Sequence, residues 1–105
     1  MFTQKTMTSI ELRNKILLSL QVALLGEITP NIRGITCGWS SSLITIHWYF
    51  QGEISEDDRE SMECVATEVL ANFPEHKINI ESKRLDLPEL LNPYTLSAWV
   101  YLKKE

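Results

Sequence analysis

The stretch GEISEDDRESMECVATEVLANFP, residues 52–74, decides the fold, because it separates two regions of strand-like alternation. Ser55 is a good N-cap with Asp58 three positions on, and Pro74 supplies the stop, so the stretch reads as a helix. Met62, Val65, Ala66, Val69 and Phe73 recur at helical spacing and form its apolar stripe. The same stretch holds half of the chain's 14 acidic residues: Glu53, Glu56, Asp57, Asp58, Glu60, Glu63 and Glu68. Its one basic residue is Arg59. At about 100° per residue, Glu56, Asp57, Glu60, Glu63 and Glu68 fall on the arc opposite the stripe.

Upstream, NIRGITCGW (31–39) and LITIHWYF (43–50) flank three serines and read as a β-hairpin. Ile35, Cys37, Ile44, Ile46, Trp48 and Phe50 are expected to face the core. Gly34, Thr36, Gly38, Thr45, His47 and Tyr49 then lie on the other side. Ahead of the hairpin, TSIELRNKILLSLQVALLG (8–26) reads as a helix with Thr8 and Glu11 as a capping box and Gly26 as a left-handed stop. Ile10, Leu17, Leu20 and Leu24 are its expected apolar positions.

Downstream, KINIESKRL (77–85) alternates Ile78 and Ile80 against Asn79, Glu81 and Lys83. After the loop DLPELLNP (86–93), YTLSAWVYLKK (94–104) alternates Leu96, Ala98, Val100 and Leu102 against Thr95, Ser97, Trp99 and Tyr101. The order is therefore α-β-β-α-β-β. The expected fold class is α+β, a two-layer sandwich with both helices on one face of a four-stranded sheet. That sheet is mixed if the strands flanking the acidic helix are parallel neighbours, and antiparallel otherwise.

With 105 residues, 44% of them hydrophobic, the chain fits a single domain over 1–105 with one core. Its net charge of −4 disfavours nucleic acid phosphates and favours a basic partner. Two cysteines, Cys37 and Cys64, are too few for a disulfide framework and too far apart for a metal motif. The opening MFTQKTMTSI lacks the apolar block of a signal peptide, and ILLSLQVALLG is too short to span a bilayer. A cytoplasmic protein with reduced thiols and no membrane association is expected.

Catalytic signatures are missing. Ser40, Ser41 and Ser42 lack nucleophile-elbow glycines, and the glycines stand singly, so no phosphate loop can be read. His47 and His76 have no metal-ligand spacing with cysteines or carboxylates. Neither an enzyme nor a cofactor or metal site is expected, which leaves surfaces to carry the function.

Two surfaces stand out. Glu56, Asp57 and Asp58 occupy the first helical turn, where the helix dipole favours carboxylates by about 0.3–1 kcal/mol each. Glu60, Glu63 and Glu68 lie beyond that effect, and no lysine sits four residues from any of them. They form either a solvated face or an electronegative surface for a basic protein. On the sheet face away from the helices, Trp99 and Tyr101 either pack across strands and under the 86–93 loop or serve as interface anchors. Single-stranded RNA binders also stack bases on an aromatic sheet, but their signature motif is absent here and the charge opposes it.

Taken with the helix 52–74, the aromatic strand ITIHWYF and the ending SAWVYLKKE, the chain resembles the small immunity proteins of bacterial polymorphic-toxin and contact-dependent growth-inhibition systems. The resemblance covers roughly the C-terminal two-thirds. It implies a cytoplasmic, non-enzymatic, one-to-one binder that neutralises a cognate toxin, frequently a basic nuclease. In that role Glu56, Asp57, Glu60 and Glu63 would steer the partner, and Trp99 or Tyr101 would anchor it. The alternative is a structural or adaptor module that self-associates through the open sheet face or an edge strand.

Overall fold

The computed structural model describes residues 8–105. The opening stretch read as lacking a leader lies, over residues 1–7, outside the described residues. Elements follow the expected order: α1 (Ser9–Ala23), β1 (Ile32–Trp39), β2 (Leu43–Phe50), α2 (Glu56–Ala71), β3 (Lys77–Arg84) and β4 (Ala98–Leu102), with a 3₁₀ turn at Asn92–Tyr94. The sheet order is β3-β2-β1-β4. β1 pairs antiparallel with β2 and β4, whereas β2 and β3 run parallel. The mixed sheet follows from the acidic helix: parallel neighbours need a long crossover, and α2 supplies it.

Both helices cover one sheet face. Ile35, Cys37, Ile44, Ile46, Trp48 and Phe50 meet Ile16 and Leu20 of α1 and Met62, Val65, Val69 and Phe73 near α2 in a single buried cluster. The α2 stripe is buried as the spacing requires. The α1 stripe is corrected at one position, Ile10, while Leu20 and Leu24 are buried and Leu17 packs against the core as expected. Its buried positions are Ile16, Ser19, Leu20 and Ala23, followed by Leu24, while Ile10 is 70% exposed. The run ILLSLQVALL is apolar around most of its circumference, so periodicity alone leaves the limits of the inward side open. Of the capping box expected at Thr8 and Glu11, one half forms. Thr8 Oγ1 accepts the Glu11 N–H at 3.1 Å, and Gly26 takes the left-handed conformation at φ +80° in the turn after α1.

The expected open sheet face is half closed. Residues 85–97 fold back across it, and Leu85, Leu91 and Tyr94 pack on a fully buried Tyr49. A directed relay holds them there. Leu96 N–H donates to Thr36 Oγ1 (3.1 Å), the Thr36 hydroxyl donates to Tyr49 Oη (2.7 Å), and Tyr49 donates to the Tyr94 carbonyl (2.8 Å). Each hydroxyl is thereby both donor and acceptor, which burial demands. Outside that cover lie Trp99 of β4 and, on the β2–β3 side, the exposed Glu81.

Two β-bulges complete the closure. At the first, Arg33 is the extra residue between Ile32 and Gly34. Its buried guanidinium donates to the carbonyls of Leu85 (2.5 Å) and Glu89 (2.8 Å) and, through Nε and Nη2, to both carboxylate oxygens of Glu105 (2.6 and 2.9 Å). Hydrogen bonding from Arg33 holds the Glu105 carboxyl below its ordinary range. At the second, β1 residues Ile35 and Thr36 face Tyr101 and Trp99, leaving Val100 as the extra residue. That bulge corrects the alternation expected for 94–104. Tyr101 lies on the helix-covered face with Ile35, packed against the core, and Trp99 stays on the other face with Thr36. The strand also starts later than expected, at Ala98, because 92–94 form the 3₁₀ turn.

Candidate partner interface

The N-terminus of α2 is built as its sequence dictates. Ser55 Oγ accepts the Asp58 N–H at 3.0 Å and Asp58 Oδ2 accepts the Ser55 N–H at 2.9 Å, so two orphan donors are satisfied reciprocally. Asp58 is buried in this role and leaves the solvent face to its neighbours. Glu56, Asp57, Glu60, Glu63 and Glu68 are all exposed.

None of those five carboxylates is in an ion pair among the described residues, where the pairs formed are Arg33–Glu105, His47–Glu81 and Arg84–Asp86. Arg59 stands three residues from Glu56 and four from Glu63 yet bridges neither. Other cations are held elsewhere: Lys15 over the Phe73 ring, Lys83 over the Tyr94 ring, and Lys103 on the Pro30 carbonyl. Like charges at Glu56, Glu60 and Glu63, spaced by four and three residues, each oppose helix formation by about 0.2–0.5 kcal/mol. A cationic partner would relieve that repulsion.

The residues singled out from the sequence do not form one surface. Glu56, Asp57, Glu60 and Glu63 share α2, which packs over β3 at one edge of the sheet. Trp99 belongs to β4 at the opposite edge, on the face away from the helices, and is 42% exposed. Its ring lies against Gly34, where a Cβ would come within 2.9 Å of Cζ3. Tyr101 is half-buried on the helix side of that same strand.

Groups with chemical potential are placed unproductively. His47 Nε2 lies 2.6 Å from Glu81 Oε2 without the alignment of a hydrogen bond, and that carboxylate is 55% exposed. Cys37 is buried in the core, which pushes its thiol up to about 11. Ser40 Oγ caps the hairpin turn by accepting the Leu43 N–H at 3.1 Å. Among the described residues no three His, Cys, Asp or Glu side chains gather as metal ligands, and no helix is long and apolar enough to cross a membrane.

A small α+β fold that presents an unneutralised acidic helix has the features of a protein-binding inhibitor. The chain belongs to the MafI2 immunity protein family, which matches residues 13–105. These are non-enzymatic immunity proteins of Maf polymorphic toxin systems, and membership implies neutralisation of a cognate MafB toxin. The match extends upstream of the resemblance read from the sequence and takes in most of α1. No curated protein sequence matches the chain.

Proposed function

We propose that this protein acts in the cytoplasm, as one domain over 1–105, by binding a nuclease toxin domain of basic surface. Glu56, Asp57, Glu60 and Glu63 steer the encounter. The observation that carries this reading is the row of exposed α2 carboxylates left without ion pairs. A nuclease needs positive charge to hold phosphates, and a carboxylate-rich helix is complementary to it. Complementary charge accelerates association and selects the partner, while desolvated apolar contacts slow dissociation. Trp99 or Tyr101 at the β4 edge is one candidate anchor, which a partner docked on α2 reaches only by wrapping around the molecule.

The test is direct. The toxin domain of the cognate MafB protein is incubated with DNA or RNA, with and without an equimolar amount of this protein. Degradation that the protein stops is the expected result. Nucleic acid left intact by the toxin alone would contradict the nuclease reading.

A further inference from the structure

Leu18, Val22 and Leu25 are 63%, 54% and 74% exposed, an apolar row along the solvent side of α1 and its terminal turn. Nothing in the core requires them, because Ile16, Leu20, Ala23 and Leu24 already fill the inward side. Two ties set where this row lies. Asn72 Nδ2 donates to Ser19 Oγ at 2.9 Å, and the Ser61 hydroxyl donates to Glu27. The pairings run in opposite senses along the chain, so α1 and α2 are antiparallel neighbours. The apolar row therefore lies beside the α2 stretch 61–72. A groove lined by Leu18, Ser19, Val22, Asn72 and Lys15 separates the helices, with the Lys15 ammonium drawn to the Phe73 ring. Across it, α2 presents a shallow seat at Cys64, Thr67 and Ala71, edged by Glu63 and Glu68.

We infer that the outer face of this helix pair, not the β4 edge, holds the toxin: Leu18, Val22 and Leu25 form the desolvated anchor, and the α2 carboxylates form its charged rim. The occupant is a cationic protein surface with an apolar protrusion that enters between the helices. The charge pattern selects it. An apolar row bordered on the α2 side by unpaired carboxylates matches lysines or arginines around a hydrophobic knob, and a second copy would bring carboxylates against carboxylates. An apolar centre inside a polar rim is the arrangement that gives stable protein interfaces. The inference rests on the reading of α2 as the steering surface and adds where the complex is held.

Binding kinetics separate the parts. Leu18→Gln/Val22→Gln, Glu63→Gln/Glu68→Gln and Trp99→Ala are compared with the unaltered protein against the immobilised MafB toxin domain. Circular dichroism confirms that each is folded. Loss of the anchor is expected to speed dissociation by about tenfold or more and to leave association within about twofold. Loss of the rim is expected to slow association and to leave dissociation largely unchanged. If Leu18→Gln/Val22→Gln dissociates like the unaltered protein while Trp99→Ala does not, the anchor lies on β4 and the inference fails. A Leu18→Gln/Val22→Gln protein that loses self-association in sedimentation yet holds the toxin normally would also overturn it. Faster dissociation of the leucine variant with an unaffected rim variant would keep the anchor and refute steering.

Discussion

Gly34 has the Trp99 ring where any other residue would have a side chain. A Cβ there would stand 2.9 Å from Trp99 Cζ3 and 3.3 Å from Leu91 Cδ1, so Gly34→Ala must move the ring and the covering loop. Overpacking of this kind costs about 1–3 kcal/mol, and a lowered melting temperature with red-shifted tryptophan emission is expected. Tyr49 is the middle of the hydroxyl relay. Tyr49→Phe leaves the Thr36 hydroxyl without its acceptor and the Tyr94 carbonyl without its donor, at a cost of about 1–3 kcal/mol in denaturant titration. Glu105 gives a pH signature. Its carboxyl is held below the ordinary 4.5 by Arg33, so the pair's stabilisation is complete above that value and is lost as pH falls through the folded-state value. The melting-temperature gap between the unaltered protein and Glu105→Gln should be widest near neutral pH and should close on acidification. A gap independent of pH would contradict the Arg33–Glu105 pairing.

The elements were legible in proportion to how locally their causes act. In α2 the cap, the stripe and the stop all lie within the segment, and each is where the sequence places it. Ser55→Ala should cost about 1 kcal/mol by thermal melt, since it removes the hydroxyl that accepts the Asp58 N–H and leaves only the reciprocal bond from the residue 55 N–H to Asp58. The hairpin was legible for the same reason: alternation over 43–50 fixes which side chains face inward. α1 was legible as a helix and, through Leu17, Leu20 and Leu24, in its inward side, but not at Ile10. With leucines nearly all around, the limits of that side are set by packing against α2 and β4, neither of which is sequence-local. The bulge at Val100 inverts Tyr101, and one extra residue leaves no mark in a pattern of period two. Residues 86–93 read as a loop and 94–97 as the start of the last strand, but that 85–97 lie down on Thr36 and Tyr49 depends on contacts spanning tens of residues. Arg33 escaped for the same reason, because its partners Leu85, Glu89 and Glu105 are far along the chain. The candidate site divides in the same way. The acidic face could be read from one helix, whereas the exposed row on α1 appears only once the inward side of α1 is known.

At the scale of the molecule, the ion pairs among the described residues leave α2 out. Arg33 is buried against Glu105 beneath the covering loop, and Arg84 pairs with Asp86 next to it. The carboxylates of α2 stand without ion pairs among the described residues, on the same helix layer as the exposed Leu18, Val22 and Leu25. Steering by such a face is an electrostatic rate effect and weakens as salt shortens the screening length to roughly 10 Å at 0.1 M. The decisive measurement is the association rate with the MafB toxin domain across a salt series, for the unaltered protein and Glu60→Lys/Glu63→Lys. Charge reversal is expected to lower the rate about tenfold at low salt and to flatten its salt dependence. Equal rates with equal salt dependence would contradict the claim that α2 meets a basic partner.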